Sequence, residues 1–378
     1  MKRNHRFDFI ILSRCYKPGS APSNRLLSFL RGFDNLGIHV RVIFAYPNKE
    51  YAKITESYHY IDIEYLWQND KPVGKVRKYV RSLFRIAKLS KQLKKGTRVF
   101  LVDEQTYLPI LTFNKGLSIF HERTENPELI NKLPFGLQNI YYHSCKKTKC
   151  IFCISTALSN FFKEKGVKQT AIINMTVDPE RFNIEKQNQQ DKYIAYCGTV
   201  SNDKDGVDIL LRSFAKISSK YSQIKLYIIG HCPKTSEFDL NMRLIEELGI
   251  KDKVILTGPI PYIEMPKILK NASVLALARP ESLQATYGFP TKLGEYLLTG
   301  NPVVITSVGD IPRFLKHKES ALLCKPNSIE DFSLNIDWVL EHYDEAIKIG
   351  ERGRQVALKE FNATNETLKI YNIISTDK

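Results

Sequence analysis

Short apolar runs recur along the chain, separated by stretches with helical periodicity. Phe7–Ser13, Val40–Ala45, Arg98–Asp103, Leu117–His121 and Cys150–Ser155 read as strands. Their alternation with helical segments predicts a parallel sheet with helical crossovers. The polar stretch Glu185–Lys192 (EKQNQQDK) interrupts this pattern and reads as an interdomain linker. The pattern then restarts with Tyr193–Cys197, Ile224–Gly230, Val254–Gly258, Ser273–Ala278 and Pro302–Thr306, so a second doubly wound domain is expected. From Glu330 to Ile374 the periodicity is helical, with a break near Phe361 and Asn362. The predicted fold class is α/β, with two Rossmann-like domains at residues 1–185 and 192–355. A final helix in 356–378 is expected to return to the first domain. No sequence repeat of the solenoid kind is present.

Composition agrees with a folded chain: 43% of the 378 residues are hydrophobic and 25% are charged, which excludes disorder as the main state. The only apolar stretch near the N-terminus, Phe7–Leu12, is far shorter than a signal-peptide core or a membrane span. A cytoplasmic location is therefore expected. Seven cysteines scattered from Cys15 to Cys324 do not form a disulfide framework. Cys145, Cys150 and Cys153 lack the partners that would complete a zinc site and read as buried residues. No metal or cofactor is expected.

The formal net charge of +16 is concentrated. Lys71 to Arg98 holds eleven Lys and Arg and no acid, and its apolar residues Val76, Tyr79, Val80, Leu83, Ile86, Ala87 and Leu93 fall at helical spacing. This is a basic amphipathic helix. Its basic side, with Arg77, Arg81 and Arg85, either is solvated or meets an acceptor or the anionic headgroups of a membrane. No zinc-finger spacing, RNP motif or leucine-zipper heptad accompanies it, so nucleic acid is not an expected partner.

The richest local motif is Tyr287–Val304, YGFPTKLGEYLLTGNPVV. Gly288, Phe289 and Pro290 form a turn after a strand, Thr291 is expected to cap a helix, and Gly300 ends it. A helix N-terminus at the C-terminal end of a parallel strand offers backbone N–H groups to a phosphate. Glu295, one turn inside, is placed to accept hydrogen bonds from ribose hydroxyls.

This segment resembles the signature of family 4 glycosyltransferases: Glu, seven residues, Glu, then a Gly-Pro-Val-Val-like strand. The second Glu of that signature falls on Glu295 and the first on Tyr287, a departure; Arg279, Glu281 and Gln284 are near enough in sequence to stand in for it. A second resemblance lies in CGTVSNDKDGVDILLRSF, residues 197–214. Relatives hold the donor diphosphate there with an Arg and a Lys. Lys204 fills the Lys position, and Thr199 stands at the Arg position. Asp203 and Asp205 form an Asp-x-Asp, but its register matches no calcium loop and it is read as binding no metal.

The resemblance implies a GT-B fold, two Rossmann-like domains facing a cleft, and retaining transfer from a nucleotide sugar. It assigns catalytic roles to His121, Lys204 and Glu295. Gly19, Ser20, Gly198, Thr199, Lys204, Gly230, Ile260, Gly288, Phe289, Pro290, Thr291 and Glu295 become donor contacts. Arg25, on the first turn of the helix after Gly19, is a candidate for phosphate or acceptor. The expected acceptor is a glycan or an undecaprenyl-pyrophosphate-type lipid, in synthesis of a bacterial surface polysaccharide on the inner face of the membrane. The rival readings are a GT-B-fold sugar-nucleotide epimerase and a basic nucleic-acid-binding protein without chemistry.

Overall fold

The computed structural model describes residues 7–67, 74–102, 104–187, 192–232 and 235–377. Lys71, Asp103 and residues 188–191 of the expected linker lie outside these. The chain divides into two compact units, Met1–Thr176 with Ala363–Lys378, and Val177–Asn362. The division falls after Thr176 and not in the polar stretch 185–192, for a local reason. Val177 N donates to Phe361 O, Lys270 Nζ to Phe182 O, and Gln187 N to Asn271 Oδ1, so this segment is bonded into the second unit.

In the first unit seven strands are all parallel: β1 Phe9–Ser13, β2 Val40–Phe44, β3 Ile61–Tyr65, β4 Arg98–Val102, β5 Ser118–Arg123, β6 Cys150–Cys153 and β7 Thr170–Ile172, in the order β3-β2-β1-β4-β5-β6-β7. Helices cover both faces of this sheet, so the central β1, FIILS, is buried at every position and reads as a continuous apolar run. Crossovers from β3 to β4, β4 to β5 and β5 to β6 all run the same way along the sheet, and the β1 to β2 crossover runs the other way. Right-handed connection then puts the helices Lys75–Gln92, Leu108–Phe113 and Phe135–Lys146 on one face and Ala21–Asn35 on the other. The core holds Phe9, Phe29, Phe33, Phe100 and Phe152 together with Ile370 and Ile374 of the Ala363–Ser375 helix.

In the second unit six strands are again all parallel: β8 Tyr193–Cys197, β9 Lys225–Ile229, β10 Val254–Gly258, β11 Val274–Leu277, β12 Val303–Thr306 and β13 Leu322–Cys324, in the order β10-β9-β8-β11-β12-β13. The order reverses direction beside β8, where β8 lies between β9 and β11. Such switch points are where loops at the strand C-termini part and leave a crevice.

Two residues expected to serve a ligand are instead part of the first unit's interior. Arg25 Nε donates to Glu122 Oε1 at 2.7 Å, Nη1 to Asn174 O at 2.8 Å and Nη2 to Ile173 O at 3.2 Å. Asn174 N in turn donates to Glu366 Oε2 at 2.9 Å. The guanidinium therefore ties the 21–35 helix to the end of β5 and to the chain beyond β7. His121 is fully buried, with Nδ1 3.3 Å from Leu101 O and Nε2 3.4 Å from the Tyr141 hydroxyl. The sequence reading ends this strand at His121; β5 runs on to Arg123, and Tyr141 and the neighbouring strand enclose the imidazole. Burial, reinforced by the charge of Arg123, lowers its pKa to about 3, so the imidazole is neutral in the folded chain.

Two predictions follow from this packing. A Cβ on Gly32 would overlap Thr367 Oγ1 and lie 2.9 Å from Ala363 O. Gly32→Ala gains helix propensity of at most about 1 kcal/mol but meets a backbone oxygen, and overpacking costs about 1–3 kcal/mol, so the urea midpoint should fall. At Gly136, where a Cβ meets nothing within 4 Å, the same change should leave the midpoint level or raise it. For His121, the unfolded chain binds a proton near the ordinary pKa of 6.5, while the folded chain resists until about 3. Its contribution to stability is thus complete above about pH 6.5 and is lost as pH falls toward 3. His121→Gln should flatten the decline in urea-unfolding stability between about pH 6.5 and 4; equal slopes would show that the imidazole is not held neutral.

Candidate functional site

The C-terminal end of β8 sets the geometry of the second unit. Tyr196 is its last fully buried residue, Cys197 and Gly198 follow, and the loop then turns through the short helix Asn202–Asp205 into the helix Val207–Ser218. Ser201 caps the short helix by accepting from Lys204 N at 3.3 Å. Glu237 accepts from the backbone N–H groups of Asn202 and Asp203, so these donors are already taken. Gly206 adopts φ +65°, and a Cβ there would overlap Ala278 O just beyond β11. The bend is thereby pressed against the end of the neighbouring strand, and Asp205 is carried inward.

Asp205 meets a residue that the sequence does not single out. Lys292, the second residue of the Thr291–Leu298 helix, places Nζ 2.5 Å from Asp205 Oδ2 and 3.3 Å from the Tyr196 hydroxyl. The same ammonium group stands 4.6 Å from the centre of the Tyr196 ring and fills the space that a Cβ on Gly198 would need. Tyr196 Oη also lies 2.8 Å from Asp205 Oδ2 and 2.7 Å from Thr199 O. Burial pulls the Lys292 pKa below its ordinary value, with Asp205 acting the other way. Burial would raise the Asp205 carboxyl, but Lys292 and Tyr196 outweigh it and hold it below the usual range. The lysine of the pair is 17% exposed and the aspartate 4%.

On the same helix, Glu295 pairs with Arg181 through Oε1. Arg181 donates to Tyr262 O at 3.0 Å and its guanidinium carbon lies 3.6 Å from the Tyr262 ring centre. Arg181 lies 114 residues from Glu295 in sequence, which hides the pairing from local reading. The segment DPERF that contains it is the one visible cue, since Asp178 accepts from Glu180 N and starts the 3-10 turn Pro179–Phe182.

The other expected site residues separate into groups. Gly198, Gly230 and Ile260 stand at or beyond the ends of β8, β9 and β10, and Thr199 is exposed beside Gly198. Gly230 N is bonded to Gly258 O. Lys204 is exposed, and its charge acts on Lys292 by lowering that lysine's pKa. In the 288–291 turn the amides are not all open. Gly288 N donates to Gln284 O at 3.1 Å, and Phe289 is buried in a ring cluster with Phe314 and Phe361. Pro290 has no N–H, and Thr291 starts the helix without a side-chain cap. Of the three candidates to replace the carboxylate at Tyr287, Arg279 is buried and its charge reaches Asp205, Glu281 is exposed, and the Gln284 carbonyl is bonded to Gly288 N.

In the first unit, Gly19 is exposed with φ +72°, and Ser20 Oγ donates to Lys17 O at 2.9 Å. Arg77 and Arg81 are exposed on the 75–92 helix and Arg85 is half-buried there. Among the described residues no group of His, Cys, Asp and Glu could hold a metal ion, and Asp205 is committed to Lys292.

Residues 177–356 match the model of glycosyl transferases group 1. An uncharacterized glycosyltransferase of Methanocaldococcus jannaschii is 23% identical over 248 residues, 61% of this chain and 61% of that protein. N-acetyl-alpha-D-glucosaminyl L-malate synthase of Bacillus anthracis is 25% identical over 177 residues, 46% of this chain and 43% of that protein. The chain therefore matches less than two thirds of the length of these relatives. The crystal structure of HepE from Anabaena in complex with UDP-glucose is similar with a TM-score of 0.75 at 15% identity, covering 97% of this chain and 99% of that one. That likeness concerns the fold, which with the two parallel α/β domains is GT-B. The matched residues, with Gly198, Lys204, Asp205, Lys292 and Glu295 among them, are thus similar to a domain of the group 1 glycosyl transferases.

Proposed function

We propose that this chain moves a sugar from a nucleotide-diphosphate sugar to a glycan or lipid-linked acceptor, with retention at the anomeric carbon. The setting is the cytoplasmic face of a membrane, in assembly of a bacterial surface polysaccharide. The pairing of Lys292 with Asp205 against Gly198, one helical turn from Glu295, carries the reading. An ammonium group has three N–H donors. Two of those of Lys292 serve Asp205 and Tyr196, and the third is assigned to a diphosphate oxygen. With Lys204 on the adjoining loop it supplies two positive charges, which makes up for Thr199 standing where relatives carry Arg.

Negative charge grows on the diphosphate as the sugar leaves, and a fixed cation in a water-poor site acts most strongly there. Asp205 keeps the ammonium in position and needs no movement during the reaction. Glu295 binds ribose hydroxyls through the oxygen that Arg181 does not hold. Support for a nucleotide-sugar donor also comes from Anabaena HepE, which has been crystallised with UDP and with UDP-glucose. No step of this mechanism is assigned to His121 or Arg25, which make internal bonds.

A thermal-shift screen of nucleotide sugars tests the proposal. A donor at 100 times its Kd should stabilise the fold by about 2.7 kcal/mol. Glu295→Ala and the double variant K292M/D205N should remove that shift and the transfer; the double variant removes both charges of the pair at once. Lys204→Ala should weaken binding without unfolding the chain. Normal turnover in the first two variants would refute the site assignment. A free sugar and nucleotide as products, in place of a new glycoside, would favour the epimerase reading.

A further inference from the structure

The face of the first unit that carries the helices Lys75–Gln92, Leu108–Phe113 and Phe135–Lys146 has a surface unlike an ordinary solvated one. The 75–92 helix turns Ser82, Ile86, Leu89 and Ser90 inward, at helical spacing. Val76, Val80 and Phe84, also spaced by four, lie on the outside, with Phe84 73% exposed. Only part of the apolar stripe legible in the sequence thus reaches the core. Arg77, Arg81, Lys88 and Lys91 stand exposed beside the outer stripe.

The 108–113 helix packs against both of the other two. It ends in Phe113, 87% exposed, and the 135–146 helix adds Phe135, 76% exposed, with Leu137 and Ile140. Lys146 and Lys147 are exposed at its end. None of the three helices contains a single Asp or Glu. Scattered exposed apolar residues need no explanation; seven of them on three neighbouring helices that carry exposed cations and no acid do.

We infer that this face docks on an anionic lipid bilayer, with the apolar side chains seated at the headgroup boundary and the Lys and Arg residues on lipid phosphates. Apolar projections flanked by cations are the arrangement of interfacial helices: burial of the first and attraction of the second act together. Duplex nucleic acid would satisfy the cations but leave Phe84, Phe113 and Phe135 in water. No described helix is long and apolar enough to cross a membrane, so attachment would be from one side. The surface uses none of the residues assigned to donor binding, and the inference stands apart from the transfer reaction, although a lipid-linked acceptor would give such docking a purpose.

Vesicle sedimentation with the full chain tests it. The protein should pellet with vesicles of phosphatidylglycerol and phosphatidylcholine, and remain largely in solution with phosphatidylcholine alone. R77E/R81E and, separately, F84S/F135S should each lower the partition coefficient by roughly tenfold or more. These residues are exposed, so thermal unfolding of both variants should match the parent. Nucleotide-sugar binding should also be unchanged, which separates failure of this surface from failure of the donor site. Equal partition onto neutral vesicles, no partition at all, or indifference to both pairs of substitutions would overturn the inference. So would tight binding to random duplex DNA by a chain that ignores vesicles.

Discussion

Where β8 ends, the chain carries no side chain at Gly198, and the Lys292 ammonium takes the place a Cβ would fill. That close approach brings a helix begun 93 residues later in the chain against a strand end, and it depends on Asp205 being turned inward at the Gly206 bend. A buried ion pair is weak evidence of a contribution to stability. Taking both charges out of water cancels much of their attraction, and losing one partner alone costs about 3–5 kcal/mol. Conformational definition is the better account: the loop after β8, the start of the 291–298 helix and the ring of Tyr196 are mutually located by one cation. A binding surface made of strand ends and helix starts needs such a reference point, because loops alone would not keep its groups in register.

The alternation of apolar runs is sufficient to read two parallel sheets, because strands buried on both faces announce themselves as unbroken apolar stretches. Strands at the margins are harder. β3 at the sheet edge reads IDIEY, half exposed and alternating, and β7 and β13 have three residues each, too short for any periodicity. The helix 291–298 is legible for a different reason: Pro290 and Gly300 bound it locally. The sequence reading puts a strand before the turn, where the structure has the helix Leu283–Tyr287, and Thr291 makes no side-chain cap.

Lys292 and Arg181 are not legible in that way. A lysine in the first turn of a helix reads as solvated, and only its partners, 87 and 96 residues away, make it buried. His121 and Arg25 show the same limit: their burial is not legible either. Both stand where a parallel-sheet protein often displays functional groups, yet Tyr141, Glu122 and the Asn174 carbonyl enclose them. Strand register says which end of a sheet a residue occupies; it does not say whether another helix covers that end.

The first unit is discontinuous in sequence. Its interior is closed by Ile370 and Ile374, and Glu366 holds the Asn174 amide, all from a segment that follows the whole of the second unit. The second unit is one uninterrupted stretch. On the ribosome, therefore, residues 177–362 can fold while the earlier-made unit still lacks a wall of its core, and order of completion is the reverse of order of synthesis. Until residues 363–375 emerge, the side of the 21–35 helix that they pack against stays uncovered.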